Sequence, residues 1–332
     1  MNSMKSKLTY LKMPELFEEF SKHQNDFFAV VDIKVKSHLP NWIQTSDKVF
    51  WLSDPEANKT LIMYEKVIDF FLKSGIGRTS KLIAIGGSAT TDLTGFVAAT
   101  ILRGIAWKAI PTTLLAMVDG SIGGKVAVNA RAGKNLIGAF HLPEMVFLCF
   151  DFLSTLPEEE WNSGKGEVLK YGFLSKKIHD LIMADAPTEI IALECAKYKE
   201  LVIENDFKEQ GERVYLNFGH TLGHAFEATL KIPHGTAVAM GIKYLLEIFH
   251  SERLKDYHQL ISRLKLNETD MNISSYSKFS IKDFMNFLEQ DKKKIKNSIR
   301  LVLVEEIGKA SILELAFTEL KLKLESHAEF KN

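Results

Sequence analysis

The stretch KLIAIGGSATTDLTGFVAATILRG, residues Lys81 to Gly104, decides the fold. KLIAIGG is a short apolar run closed by two glycines, the pattern of a strand buried on both faces. DLTGFVAATILRG then reads as a helix, joined to the strand by small and hydroxylated residues. Such a turn lets backbone amides approach an anion at a helix N-terminus, where the dipole favours negative charge. The same residues would also serve as a plain strand-to-helix turn with Thr90 or Thr91 as the N-cap. The pattern is not GxGxxG, so the turn alone leaves nucleotide binding open.

The alternation continues on both sides. FFAVVD (Phe27–Asp32), AWKAIP (Ala106–Pro111) and MVFLCFD (Met145–Asp151) read as further buried strands. LIMYEKVIDFFLKSG reads as a helix with Leu61, Tyr64, Ile68 and Phe71 on one stripe, stopped by Gly75. Strands alternating with helices imply a parallel sheet covered on both faces. From about Leu156 the pattern changes. LPEEEWNSGKGEVLKYGFL, ALECAKYKELVIEND, GHTLGHAFEATL and HGTAVAMGIKYLLEIFH read as helices, and SIRLVLVEEIG is the one strand-like run, a hairpin arm. The expected architecture is an α/β N-terminal domain with a parallel, Rossmann-like sheet over residues 1–155. A mostly α-helical, metal-binding domain follows over residues 156–332, and a ligand is expected in the cleft between two such domains.

Bulk properties narrow the function. The 332 residues carry 42 basic and 42 acidic side chains, so no general attraction to nucleic acid or anionic membrane is implied. Two cysteines, Cys149 and Cys195, cannot build a disulfide framework. The first residues lack the apolar core of a signal peptide, and no apolar run is long enough to span a bilayer. A cytoplasmic protein is expected.

Two stretches carry chemistry. PTTLLAMVDGSIGGKVAVNARAGKNLIGAF packs Asp119, Lys125, Asn129, Lys134 and Asn135 among five glycines. A polar, glycine-rich run of this length reads as a loop, and such loops are usually functional. GHTLGHAFE places His220 and His224 one turn apart on one helix face, a spacing that suits zinc but also occurs at plain surface positions. His234 and Glu167 offer further ligands, and three protein ligands with an open position would mark a catalytic metal. The residues thus point to an enzyme with a nucleotide, a metal and an anionic substrate.

The ordered series LRGI, PTTLLAMVDGSIGGK, GKNLIGAF, LPEEE, GEVLKYG, GER, LNFGHTLGHA, HG and DKK resembles the 3-dehydroquinate synthase family of sugar-phosphate cyclases, from about Glu56 to about Gly308. The resemblance implies a zinc site of Glu167, His220 and His234, with cobalt as a possible substitute. It places Asp119, Lys125, Asn135, Lys170, Arg213 and Asn217 around the substrate's hydroxyl, carboxylate and phosphate groups. Lys199 joins them, with one of Lys292 and Lys293. It puts Arg103 in a homodimer partner's site and assigns proton transfer to Glu209 and His224, with Asp119 and Lys170 also in catalytic positions. NAD contacts are implied for Asp32, the run Glu56 to Lys59, Gly87, Ser88, Ala89, Asp92, Thr112, Thr113, Lys134 and the run Phe152 to Thr155. The implied reaction converts 3-deoxy-D-arabino-heptulosonate 7-phosphate to 3-dehydroquinate and phosphate, in the shikimate route to aromatic amino acids. It runs through transient oxidation by NAD, phosphate elimination, reduction and aldol closure, with no net redox change.

Five positions depart from the family pattern. Ser88 and Thr91 stand where glycines are usual, Pro55 where glycine is, Lys34 where asparagine is and Thr236 where glutamate is. Ser88 and Thr91 add bulk beside the expected pyrophosphate, so weaker NAD binding is expected than in glycine-complete relatives. Cyclases making an inosose or valiolone are the nearest alternative, but the VDGSIGGK and RVYLN stretches here resemble the dehydroquinate type. A degenerate, non-catalytic member would show a broken metal triad or a lost anion-binding lysine, and neither is seen.

Overall fold

A computed structural model describes residues 6–292 and 298–330. The chain forms two compact units, one of Met1–Pro157 with Ala196–Lys208 and the other of Glu158–Cys195 with Glu209–Asn332. Among the described residues, no helix is long and apolar enough to cross a membrane.

The strands are β1 (Lys7–Tyr10), β2 (Phe27–Asp32), β3 (Val49–Leu52), β4 (Lys81–Gly86), β5 (Ala106–Pro111), β6 (Lys125–Ala130), β7 (Gly133–Phe140), β8 (Met145–Leu148), β9 (Ser298–Glu306) and β10 (Lys309–Ala316). In the first unit six of them form one parallel sheet in the order β1-β8-β5-β4-β2-β3. Every residue of β2 is buried, as a strand covered on both faces requires. The chain crosses β2 between β3 and β4 and then fills the sheet in the opposite direction. That makes the carboxyl ends of β2 and β4 a topological switch point, where open α/β sheets bind ligands.

Several local expectations are corrected. The glycine-rich run is not a loop: after a single π-helical turn, Ala116–Gly120, it forms the antiparallel hairpin β6–β7, with Lys125 opposite Phe140. Gly133 and Gly138 interrupt the side-chain pattern that would have announced β7. The run MVFLCFD stops as a strand at Leu148 and continues as a 3₁₀ segment, Phe150–Thr155. The helix Leu61–Lys73 buries Val67 and Phe71, while Leu61 is 46% exposed. β1 and β3 add two strands that four residues each were too short to signal.

Ala196–Lys208 belongs with the first unit although its helix, Thr188–Asn205, begins in the second. Two contacts tie it there. The Lys199 ammonium lies 2.7 Å from Asp119 Oδ2, and Phe207 stacks edge-on to Phe140 at 5.5 Å.

The second unit is helical, with β9 and β10 pairing as an antiparallel hairpin. Phe226, Phe284 and Phe330 are almost fully buried against one another, with the Phe226 and Phe284 ring centroids 4.6 Å apart. Each such ring contributes about 2–3 kcal/mol through burial. Phe226 lies on the helix His220–Leu230, so this cluster fixes that helix from its apolar side.

Candidate active site

In the second unit the helices Glu158–Leu174 and His234–Ile248 cross at Gly166 and Gly235. A methyl group on either glycine would overlap backbone of the other helix, so only hydrogen permits this approach. Glu167 and His234 stand next to these glycines, and the close crossing is what lets their side chains meet. The helix His220–Leu230 supplies the third member.

His220 Nε2 and His234 Nε2 lie 3.3 and 3.1 Å from the same oxygen, Glu167 Oε1. Donors on a tetrahedral zinc are separated by about 3.3 Å when metal–ligand bonds are near 2.05 Å. The donor set of one carboxylate and two imidazoles fits zinc or cobalt in type and in spacing. The opposite ring nitrogens are also engaged. His220 Nδ1 faces the Phe218 carbonyl at 3.2 Å and His234 Nδ1 faces Glu227 Oε2 at 2.8 Å. Both rings therefore turn Nε2 toward Glu167.

Electrostatics follow from burial and pairing. Burial opposes ionisation of Glu167, yet Lys170 and the two imidazoles hold its carboxyl well below the usual range. Lys170 Nζ lies 2.5 Å from Glu167 Oε2, with both side chains at most 1% exposed. Lys170, expected among the substrate contacts, is here paired as counter-charge to Glu167. Burial works against charge on His234, but Glu167 and Glu227 raise it to about 10. His224 is exposed, and surrounding protein with the neighbouring His220 and His234 pushes its ring down to about 3. Its centroid is 5.3 Å from that of His220. Asn217 Nδ2 donates to Glu209 Oε1 at 2.8 Å, and Arg213 is buried. Lys292 closes the helix Ile281–Lys292, and Lys293 lies outside the described residues.

In the first unit the expected dinucleotide residues gather at the carboxyl ends of the strands. Asp32 closes β2 and accepts from the backbone of Lys34 at 3.0 Å, and burial raises its pKa. Gly87 caps the helix Ser88–Thr100 directly after β4, so Thr90 and Thr91 lie inside the helix and neither is its N-cap. Ala89 sits in its first turn, and Thr112 donates its amide to the Gly86 carbonyl. Thr113 Oγ1 accepts from Ala116 at 3.2 Å. Lys59 is buried against Asp92 at 2.8 Å, and burial raises Asp92 to about 6 against the pull of Lys59. Lys134 lies 3.7 Å from Glu56 Oε1, and Asn135 donates its amide to Asn129 Oδ1 at 3.0 Å. Lys125 opens β6 with an exposed side chain.

Three further placements concern the expected cofactor residues. The Ser88 hydroxyl points into the space beside Gly120, which no larger residue could share with it, and Thr91 Oγ1 donates to the Ser88 carbonyl. Their bulk is directed into the protein, not into the open turn. Phe152 is 3% exposed, with its ring packed edge-on to Phe17. Thr155 Oγ1 lies 3.2 Å from His38 Nε2.

Arg103, Asn135 and Glu209 share a feature the sequence hides. All three have positive φ, at 69°, 58° and 59°, and Leu102 and Gly104 flank Arg103 in the same half of the map. Non-glycine residues held there cost about 1–3 kcal/mol and concentrate at functional sites. Glu227 was missed, although GHTLGHAFE places it seven residues after His220 on the same helix face, a legible signal.

Comparison with known proteins bears on this geometry. Residues 49–163 match a family model described as 3-dehydroquinate synthase N-terminal, and residues 164–294 one described as 3-dehydroquinate synthase C-terminal. The chain is 36% identical to a 3-dehydroquinate synthase of Staphylococcus carnosus, covering 90% of this chain and 88% of that one. It is 41% identical to one from Halalkalibacterium halodurans, over 85% of this chain and 81% of the relative. Among solved structures, a 2-deoxy-scyllo-inosose synthase complexed with carbaglucose-6-phosphate, NAD+ and Co2+ is similar, with a TM-score of 0.80, 22% identity and 95% of each chain covered. ValA, a 2-epi-5-epi-valiolone synthase from Streptomyces hygroscopicus with NAD+ and Zn2+ bound, has a TM-score of 0.82 at 20% identity, over 98% of this chain and 97% of that one. At those identities the two structures speak to the fold alone.

Proposed function

This chain belongs to the 3-dehydroquinate synthase family, and from that premise we propose that it converts 3-deoxy-D-arabino-heptulosonate 7-phosphate to 3-dehydroquinate and phosphate. It is then a carbon–oxygen lyase acting on a phosphate, using NAD and zinc or cobalt, and working in the cytoplasm. The observation that carries this reading is the shared oxygen of Glu167 within 3.3 Å of both His220 and His234.

Zinc held there would polarise substrate hydroxyls, and NAD would accept and return a hydride. The chain's own residues do the rest. Lys170 keeps Glu167 ionised without being able to leave it. His224 brings an imidazole beside His220, and Glu209, held by Asn217, brings a carboxylate, as the two groups to move protons. Lys199 and Asp119, paired in the first unit, offer a cation and a carboxylate to a substrate that bears both anionic groups and hydroxyls. Asp32 and the Gly87 turn flank the switch point where a dinucleotide would be held.

The test is a competition, with phosphate release as the readout and NAD and zinc present. The carboxylated heptulosonate phosphate is set against glucose 6-phosphate and sedoheptulose 7-phosphate. Each charge-assisted hydrogen bond missing from an uncarboxylated sugar costs about 1.5–3 kcal/mol, so at least roughly tenfold preference for the acid is expected. Equal turnover of either uncarboxylated sugar would transfer the assignment to another cyclase.

The protein is further proposed to act as a homodimer in which Arg103 serves the partner's site. The strained turn Leu102–Arg103–Gly104 around an exposed arginine supports this. Arg103→Ala is expected to lower kcat/KM by about tenfold or more, and sedimentation should show a dimer. A fully active monomer contradicts it.

A further inference from the structure

The two imidazoles beside Glu167 are braced in different ways. Behind His220 stands a neutral acceptor, the Phe218 carbonyl at 3.2 Å. Behind His234 stands a carboxylate, Glu227 Oε2, at 2.8 Å, with its side chain only 16% exposed. We propose that Glu227 is a positioning residue for the metal ligand His234, holding the Nδ1 proton and aiming Nε2 at the Glu167 oxygen. The proposal rests on the metal reading above and adds a residue that acts through a ligand without being one.

Three observations carry it. A charge-assisted N–H···O contact at 2.8 Å is short and directional, so it sets both the tautomer and the tilt of the ring. A carboxylate behind an imidazole also raises the electron density at the far nitrogen, which strengthens that nitrogen as a metal donor. Finally, Glu227 comes from the helix that carries His220, while His234 opens the next helix. One rigid helix therefore supplies a ligand and also orients a ligand on its neighbour.

Glu227 could instead ligate a second ion, because His224, Glu227 and His234 also bring donor atoms within 4.8 Å of one another. The 2.8 Å separation argues against this, since donors sharing a tetrahedral zinc stand about 3.3 Å apart. A direct hydrogen bond fits that spacing.

The experiment uses the full chain stripped of metal, with zinc and cobalt as probes. Zinc dissociation constants are measured by competition with a chromophoric chelator for the parent, Glu227→Ala and the near-isosteric Glu227→Gln. Metal-free melting curves and the visible spectrum of the cobalt-loaded forms are recorded alongside. For Glu227→Ala, zinc binding about 10- to 100-fold weaker is expected, with an altered cobalt spectrum. Glu227→Gln, whose amide oxygen can still accept from Nδ1, should lose less and keep the parent's melting temperature. Zinc binding within twofold of the parent in both variants overturns the proposal, as does a fall in metal-free stability unaccompanied by any change in zinc affinity. A second equivalent of zinc in the parent, absent from Glu227→Ala, overturns it by making Glu227 a ligand. A parent that binds no zinc at all removes the metal reading itself.

Discussion

Protein carrying His220→Ala is expected to lose its zinc on passage through a desalting column and to release phosphate more than about 10³-fold more slowly. The magnitude follows from the chemistry. A metal that polarises the reacting oxygen supplies several kcal/mol of transition-state stabilisation, and each 1.4 kcal/mol is about tenfold in rate. His220 supplies one of the three donors, its Nε2 3.3 Å from Glu167 Oε1, and its loss leaves Glu167 and His234 alone. Two protein ligands hold zinc far less well than three. Elemental analysis after desalting is the direct measurement. Full zinc occupancy in folded His220→Ala would place the ion elsewhere and end the assignment of these three residues.

The second large effect concerns stability. Lys170→Met keeps the length of the buried side chain and removes its charge, leaving Glu167 fully buried with its Oε2 no longer paired to an ammonium. Stranding one member of a buried ion pair costs about 3–5 kcal/mol, because the remaining charge has lost its water, and His234, still 3.1 Å from Glu167 Oε1, offsets only part of that. The loss should be largest in metal-free protein, since a bound dication restores positive charge beside the same carboxylate. Denaturant titrations of parent and variant, with and without zinc, measure the difference directly. Lys170→Met should gain more from zinc than the parent does. Equal losses with and without zinc would mean that Lys170 and the metal do not share Glu167 as a common partner.

Much of this was legible in the sequence. FFAVVD, KLIAIGG and AWKAIP announce buried parallel strands because an apolar run of five or six residues with no polar face can only be covered on both sides. His220 and His224 share a face because helical periodicity alone puts them there. The ordered motifs likewise pointed to the family that the comparisons show. These features depend on neighbours a few residues apart, or on a whole series of residues read together.

Other features needed the tertiary structure. Glu167, His220 and His234 are distant in sequence, and they meet because Gly166 and Gly235 let two helices approach until backbone touches backbone. No pattern in the string fixes that distance. The glycine-rich run became a hairpin through the cross-strand pairing of Lys125–Ala130 with Gly133–Phe140. Ser88 turned toward Gly120 and the Phe152 ring turned into the core, since space left by distant residues selects the rotamer. Lys170 was readable as a cation near a carboxylate three residues away, but only burial made it a counter-charge that cannot leave. What the chain determined by itself was its periodicity and its motifs, and what packing decided was which charges face each other without water between them.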